Sequence, residues 1–258
     1  MHGNVLIAAD RKRASAIEQA TIQGMCTNYV PTRNDRLSAA FGVDFDRDDY
    51  VAEAWPGYLA PIIRASDARR SADLAVFGLI PPWSRDGKNF RHCYNARVET
   101  VGEKPSFRHA WKQRHWCVIP TDAFFEPSYE TGKAVRWRIS SADGTPLAIA
   151  GIWDQWRAAD GQTVVSFSML TINADGHPVM GRFHAPADEK RSVVLLTPDQ
   201  ITPWLGASHE DASRMLAAFA PERITTAPAP RTPRKSRSTT ASQPTDDLGA
   251  ASDLLTFD

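Results

Sequence analysis

The chain has 258 residues with 30 basic and 30 acidic side chains; its formal net charge of zero excludes a global pull toward nucleic acid or membrane but leaves room for a local basic patch. Its 42% hydrophobic and 23% charged content is that of an ordinary globular protein, enough for one large or two small domains. No apolar run approaches the roughly 20 residues that span a bilayer. "VLIAAD" near the start is too short for a signal-peptide core and leads into "RKR" without a small-residue cleavage pattern, so a cytoplasmic protein with no membrane partner is expected.

Residues 1–24 mix short apolar pieces with "DRKRASAIEQA", enough for a couple of helical turns, and read as an extension unrelated to the remainder of the chain. Residues 25–220 have the composition of one folded domain. In chain order, a helix is predicted at about 34–41, a strand at 74–80 ("LAVFGLI"), a helix at 105–114, and strands at 115–120, 134–140, 147–154, 164–172 and 192–197. A last helix is predicted at 208–219, where "HEDASRMLAAF" carries its acidic residues early, as a helix start favours. The strand segments are β-branched or aromatic and are bounded by turns such as "ADGTP" and "AADGQT". Strands dominate and follow one another through short turns. An α+β fold is expected, a mainly antiparallel, barrel-like sheet with peripheral helices.

From residue 221 the character changes. "PERITTAPAPRTPRKSRSTTASQPT" has almost nothing to bury, so residues 221–258 are expected to form a disordered tail with the acidic, apolar tip "DDLGAASDLLTFD". A basic stretch before such a tip is the pattern of an interaction tail, and equally of a merely solubilising one. Within it, "SDLLTF" (252–257) loosely resembles the apolar hexapeptide that docks on the bacterial sliding clamp, matching at Leu255 and Phe257.

The three cysteines, Cys26, Cys93 and Cys117, are too widely spaced for a CxxC redox pair or a cysteine zinc site. Cys93 and Cys117 sit among aromatic residues and are expected to be buried packing groups. Cys26 is different, because it follows a second methionine, Met25, and would become the first residue of a chain that starts there and loses its methionine.

Three further stretches set polar residues in apolar surroundings. "CYNARVETV" (93–101) places Asn95, Arg97 and Glu99 at alternate positions, on one face if the stretch is a strand. "IPTDAFFEPSYE" (119–130) sets Glu126 directly after two phenylalanines, where a carboxyl group can be held near neutral pKa for acid work. "GRFHAPADEKRSVVLL" (181–196) presents His184 in a loop before an apolar strand. Each alone is also explained by a solvated strand face, a turn glutamate or an ordinary loop histidine.

In order, Met25-Cys26, "FGLIPPW", "NARVET", "FFEP" and a loop histidine before an apolar strand resemble the SOS response-associated peptidase family, whose members shield abasic sites in single-stranded DNA. The resemblance covers residues 25 to about 219, and "NARVET" with the preceding "GLIPPW" is its most specific part. It implies a nucleophile at Cys26, catalytic partners at Asn95, Glu126 and His184, and DNA contacts at Arg97, with Trp83 and Arg191 as DNA-contacting or supporting positions. Phe90 is a further candidate for stacking on bases. The family start is Cys-Gly-Arg, whereas Cys26 is followed by Thr27-Asn28-Tyr29; the phosphate-binding work of that arginine would fall to Arg33 or Arg97.

The chemistry of an N-terminal cysteine stands on its own. An α-amino group with pKa about 7.7–8.0 is roughly a tenth free base at pH 7, whereas lysine is almost wholly protonated. It can condense with the aldehyde of an opened abasic sugar, and the thiol on the same residue can close a five-membered thiazolidine with the effective molarity of an intramolecular reaction. No metal or organic cofactor is required. The implied function is covalent capture of abasic single-stranded DNA by a monomer that is nucleoid-associated when DNA-bound, with self-removal of whatever precedes Cys26. The alternatives are a thiol peptidase using Cys26 and His184, and a non-catalytic single-stranded DNA-binding scaffold.

Overall fold

The computed structural model describes residues 27–66 and 69–231. Cys26, the segment 1–24 and the clamp-like hexapeptide lie outside the described residues. In chain order the elements are β1 (Tyr29–Pro31), α1 (Asn34–Phe41), β2 (Leu59–Ser66), β3 (Arg69–Phe77), β4 (Asn95–Arg97), α2 (Arg108–Lys112), β5 (Trp116–Ser128) and β6 (Val135–Ser141). They continue as β7 (Leu147–Arg157), β8 (Thr163–Asn173), β9 (Arg191–Val193), β10 (Leu195–Leu196), α3 (Ile201–Leu205), α4 (His209–Met215) and β11 (Ile224–Pro228). Among the described residues no helix is long and apolar enough to cross a membrane.

The pairings β5–β7, β7–β8, β8–β3, β3–β2 and β2–β5 form a closed ring, so the sheet is a barrel that leaves these five strands with few open edges. All but β3–β8 and β4–β8 are antiparallel, and the helices are short and peripheral, as the α+β expectation has it. Side chains alternate between two hydrophobic clusters. Trp116 and Val118 of β5 face one, with Trp204 and Leu205 of α3; Cys117 and Ile119 face the other, with Phe77, Phe167 and Met169.

Several segments differ from the sequence expectation for identifiable reasons. The strand predicted at 74–80 ends at Phe77, because Gly78 takes a φ of +104° that no β-strand residue adopts. The predicted strand 192–197 is two pieces. β9 pairs with β8 and, after Val194, β10 pairs with β7, so the segment crosses from one strand to the other. Ordered structure also runs past the boundary expected at residue 220. Pro221–Arg223 forms a turn of 3₁₀ helix and β11 runs antiparallel along β6, with Ile224 buried. "ITTAP" supplies the β-branched residues such an edge strand favours, and the outer edge of β6 offers it unpaired backbone.

Candidate functional site

The site is built on the C-terminal half of β5. Along β1, Val30 pairs with Ala123 but Pro31 pairs with Thr121, so Asp122 is an extra residue in β5. Such a bulge shifts the side-chain alternation by one. Phe124 therefore points into the same cluster as Cys117 and Ile119, and two residues on, Glu126 follows it to the interior face. Glu126 is only 2% exposed and pairs across to Trp137 of β6.

β6 covers one edge of β5 over this stretch. On the other edge β1 covers Phe124, and a bridge from Ser128 to Phe183 covers the strand end. Glu126 thus sits at the junction between β1 and the 183–184 loop. Continuing the β1 register by two residues sets Thr27, itself buried, opposite Glu126.

His184 is delivered by that loop. Its backbone N–H donates to the Pro127 carbonyl at 2.8 Å, and it holds a φ of +67°, a left-handed conformation uncommon for a non-glycine residue. Its Nε2 lies 3.1 Å from the Arg191 carbonyl and 3.7 Å from Glu126 Oε2. A carbonyl only accepts, so Nε2 carries the proton and donates. Burial pushes the imidazole pKa below its ordinary value. Glu126 and His184 form a buried carboxylate–imidazole pair.

Arg191 supports this pair rather than facing solvent. It is 2% exposed and donates to both oxygens of Glu99 at 2.8 and 2.9 Å, to Glu189 at 2.8 Å and to the Thr171 carbonyl at 2.7 Å. Its guanidinium holds the Glu99 and Glu189 carboxyls below the usual carboxylate range. Of the two roles the sequence leaves open for Arg191, DNA-contacting or supporting, its burial suits the supporting one: both terminal guanidinium nitrogens are engaged by Glu99, Glu189 and Thr171, and its own carbonyl accepts from His184. Arg97, half exposed, bridges to Glu189 at 3.1 Å, so "NARVET" is tied through Glu189 and Arg191 to His184. Only Asn95, Ala96 and Arg97 form strand; Thr100 N–H turns back to the Arg97 carbonyl. Asn95 follows Tyr94, whose ring packs 6.0 Å from Phe77, itself 5.2 Å from Tyr29 beside the chain entry.

Arg33 is not brought to this site. The antiparallel register carries it toward the opposite end of β1 from Thr27, and its guanidinium donates to the carbonyls of Tyr50 and Asp48 while lying 4.7 Å over the Tyr50 ring. Phe90 is half-buried against Gly57 and the Gly78 turn, which leaves only part of its ring for a ligand. Among the described residues Trp83 is the most open aromatic: 54% of it is exposed, with its indole N–H donating to the Pro105 carbonyl at 3.0 Å. Cys93 and Cys117 are buried, and burial pushes both thiols up in pKa, so neither offers a ready thiolate.

Sequence reasoning missed a polar cluster beside the chain entry. Glu53 accepts from Asn28, from Arg136 at 2.8 Å and from Arg231 at 2.6 Å, and the Arg136 guanidinium lies 3.3 Å over the Phe125 ring. These residues come from distant parts of the chain and share no local motif, so only the β5–β6 and β6–β11 pairings reveal them. Among the described residues, a grouping that could hold a metal ion, His109, His115 and Asp154, lies at the other end of β5 from Glu126.

Fold and site together define a β-barrel protein with a buried carboxylate–imidazole pair where the chain enters the barrel. A model of the SOS response associated peptidase (SRAP) family matches residues 25–232, and the chain belongs to that family. It is 30% identical over 146 residues to the abasic site processing protein YoqW of Bacillus subtilis (strain 168), a match covering 56% of this chain and 62% of YoqW. The chain thus spans less than two thirds of that curated relative. A crystal structure of a Bordetella bronchiseptica protein superposes with a TM-score of 0.74 at 36% identity, covering 79% of this chain and 99% of the other. A Bacteroides thetaiotaomicron crystal structure, at 24% identity and TM-score 0.67, covers 79% of this chain and 91% of its own and shares the fold.

Proposed function

We propose that this protein processes abasic sites, as the name of its relative YoqW says of that protein, and that it does so on single-stranded DNA by covalent capture through an N-terminal Cys26. The observation that carries the proposal is the buried Glu126–His184 pair, 3.7 Å apart, opposite the register position of Thr27, the residue to which Cys26 is bonded.

In this reading the Cys26 amine adds to the C1′ aldehyde of the opened sugar, and its proton passes to the oxygen to give a carbinolamine. Glu126, as the acid, protonates that hydroxyl, which leaves as water, and the nitrogen lone pair forms the iminium. The Cys26 sulfur then bonds to C1′, the C=N π pair returns to nitrogen, and the thiol proton goes back to the Glu126 carboxylate. One water is released and Glu126 ends as it began. His184, neutral and fixed by the Arg191 carbonyl, orients the opened sugar or relays a proton to Glu126. Arg97, half exposed, holds a phosphate, Asn95 hydrogen-bonds at the Cys26 terminus or the sugar, and Trp83 stacks on a flanking base. The same acid–base pair would serve removal of the residues before Cys26.

Incubation with a single-stranded oligonucleotide bearing one abasic site tests this. A one-to-one adduct that survives heat and denaturant, and that Cys26→Ala and a blocked N-terminus both abolish, is the expected result. Peptide cleavage that persists with the amine blocked would instead favour the thiol-peptidase alternative. Salt-sensitive DNA binding indifferent to the lesion and to Cys26→Ser would favour the scaffold.

A further inference from the structure

We propose that His109, His115 and Asp154 form a binding site for a divalent transition-metal ion of the zinc class, separate from the Glu126–His184 pair. Asp154 lies near the end of β7, 2% exposed; His109 comes from α2, and His115 immediately precedes β5. His109 Nδ1 is 2.8 Å from Asp154 Oδ2, and His115 Nδ1 is 3.7 Å from Asp154 Oδ1. One ligand atom from each of the three residues lies within 4.8 Å of the others. For zinc–nitrogen and zinc–oxygen bonds near 2.0–2.1 Å, tetrahedral ligands stand about 3.3 Å apart. The two contacts to Asp154, one on each carboxylate oxygen, bracket that spacing, and ligand atoms that start within 4.8 Å of one another close to it by side-chain rotation.

Two observations favour a cation there over an ordinary polar cluster. A buried carboxylate needs a positive partner, yet among the described residues the ion-pair partners of Asp154 are these two imidazoles, neither obliged to be charged. Further, His115 Nδ1 is buried without a hydrogen-bond partner, although its ring is held firmly, stacked 4.4 Å from Trp153. A buried polar nitrogen left unpaired beside a carboxylate oxygen is the signature of a position that takes up another species. The remaining Asp154 Oδ1 capacity accepts the Gln155 N–H at 2.9 Å, which fixes the carboxylate plane.

Two imidazoles and one carboxylate are a donor set for zinc or a similar first-row ion, with the fourth position left to water. Entry is open, because the His109 side chain is 45% exposed. The ion would fasten α2 and the turn through Arg114, which holds a φ of +54°, to β7. Its role is a clip on the barrel end whose neighbouring segment carries the Pro105 carbonyl that holds Trp83.

The test uses the full chain without an affinity tag, stripped with chelator, dialysed, and titrated with zinc chloride by calorimetry and with cobalt chloride by visible absorption. One zinc per chain is expected, with a cobalt spectrum of four-coordinate type and a raised melting temperature in zinc. His109→Gln changes a half-exposed side chain and leaves the fold intact; it should weaken zinc binding at least about tenfold and cancel the thermal shift. Cys26→Ser should leave binding unchanged, which separates this site from any ligation by that thiol. No zinc uptake, or uptake with the same affinity and cobalt spectrum in His109→Gln and Asp154→Asn, overturns the proposal. None of these readouts depends on activity toward DNA.

Discussion

Replacing Arg191 by methionine isolates what the buried guanidinium does. Methionine keeps most of the aliphatic stem, so the loss is concentrated in the polar head. The Thr171 carbonyl loses the charged donor that reaches it at 2.7 Å, worth about 1.5–3 kcal/mol, while it keeps the Val98 N–H at 3.0 Å. Glu99 and Glu189 are 46% and 36% exposed at the side chain, so they rehydrate, and their lost pairings add at most about 1 kcal/mol. The net expectation is about 3 kcal/mol, or a fall in melting temperature of roughly 6–12 °C for a domain of this size. Urea denaturation followed by tryptophan fluorescence measures it. Because the Arg191 side chain pins the strand segment whose carbonyl accepts from His184, the rate of adduct formation should fall in the same variant under conditions where it is fully folded. A stability change below about 1 kcal/mol, with DNA binding alone reduced, would refute this reasoning and return Arg191 to the role of a phosphate contact.

Glu126→Gln keeps size and burial but removes the acid; adduct formation should slow by about 10²-fold or more while the melting temperature shifts little, as single-turnover kinetics on abasic oligonucleotide would show. His184, whose folded pKa lies below its unfolded value, stabilises the native state above the unfolded pKa near 6.5, and that stability is lost as pH falls through the lower folded value. Denaturation midpoints measured from pH 7.5 down to 5 should therefore decline, and His184→Gln should flatten that decline. The Glu99 and Glu189 carboxyls, depressed by Arg191, act in a separate, more acid window below their ordinary pKa. Gly78→Ala would drive a methyl group into the Phe90 backbone, 2.7 Å from its Cα, at a φ of +104°. A loss of about 3 kcal/mol or more by urea denaturation is expected, since backbone cannot yield as a side chain can.

The alternation of apolar residues made β7, β8 and the first half of β5 legible, and α1 appears over the span its pattern indicates, Asn34–Phe41. β2 was hidden by Pro61 within "LAPIIRAS", a residue that argues against a central strand. Glu126 was legible as a carboxyl group among phenylalanines, but its inward orientation was not. It depends on the extra residue at Asp122, which a period of two cannot register. For Arg191 the sequence left a DNA-contacting and a supporting role open, because it gives charge without burial. The two carboxylates that neutralise it are a neighbour, Glu189, and a residue of the turn after β4, Glu99. His109, His115 and Asp154 have no motif spacing, and only the β5–β7 pairing brings them together.

The most direct test of covalent capture is intact mass spectrometry of the protein expressed from its own gene, before and after incubation with single-stranded DNA carrying one abasic site. The account predicts a chain that begins at Cys26 and an adduct whose mass is that of chain plus DNA less one water, with peptide mapping placing the DNA on Cys26. A chain that keeps residues before Cys26, with no adduct on abasic DNA, would contradict it.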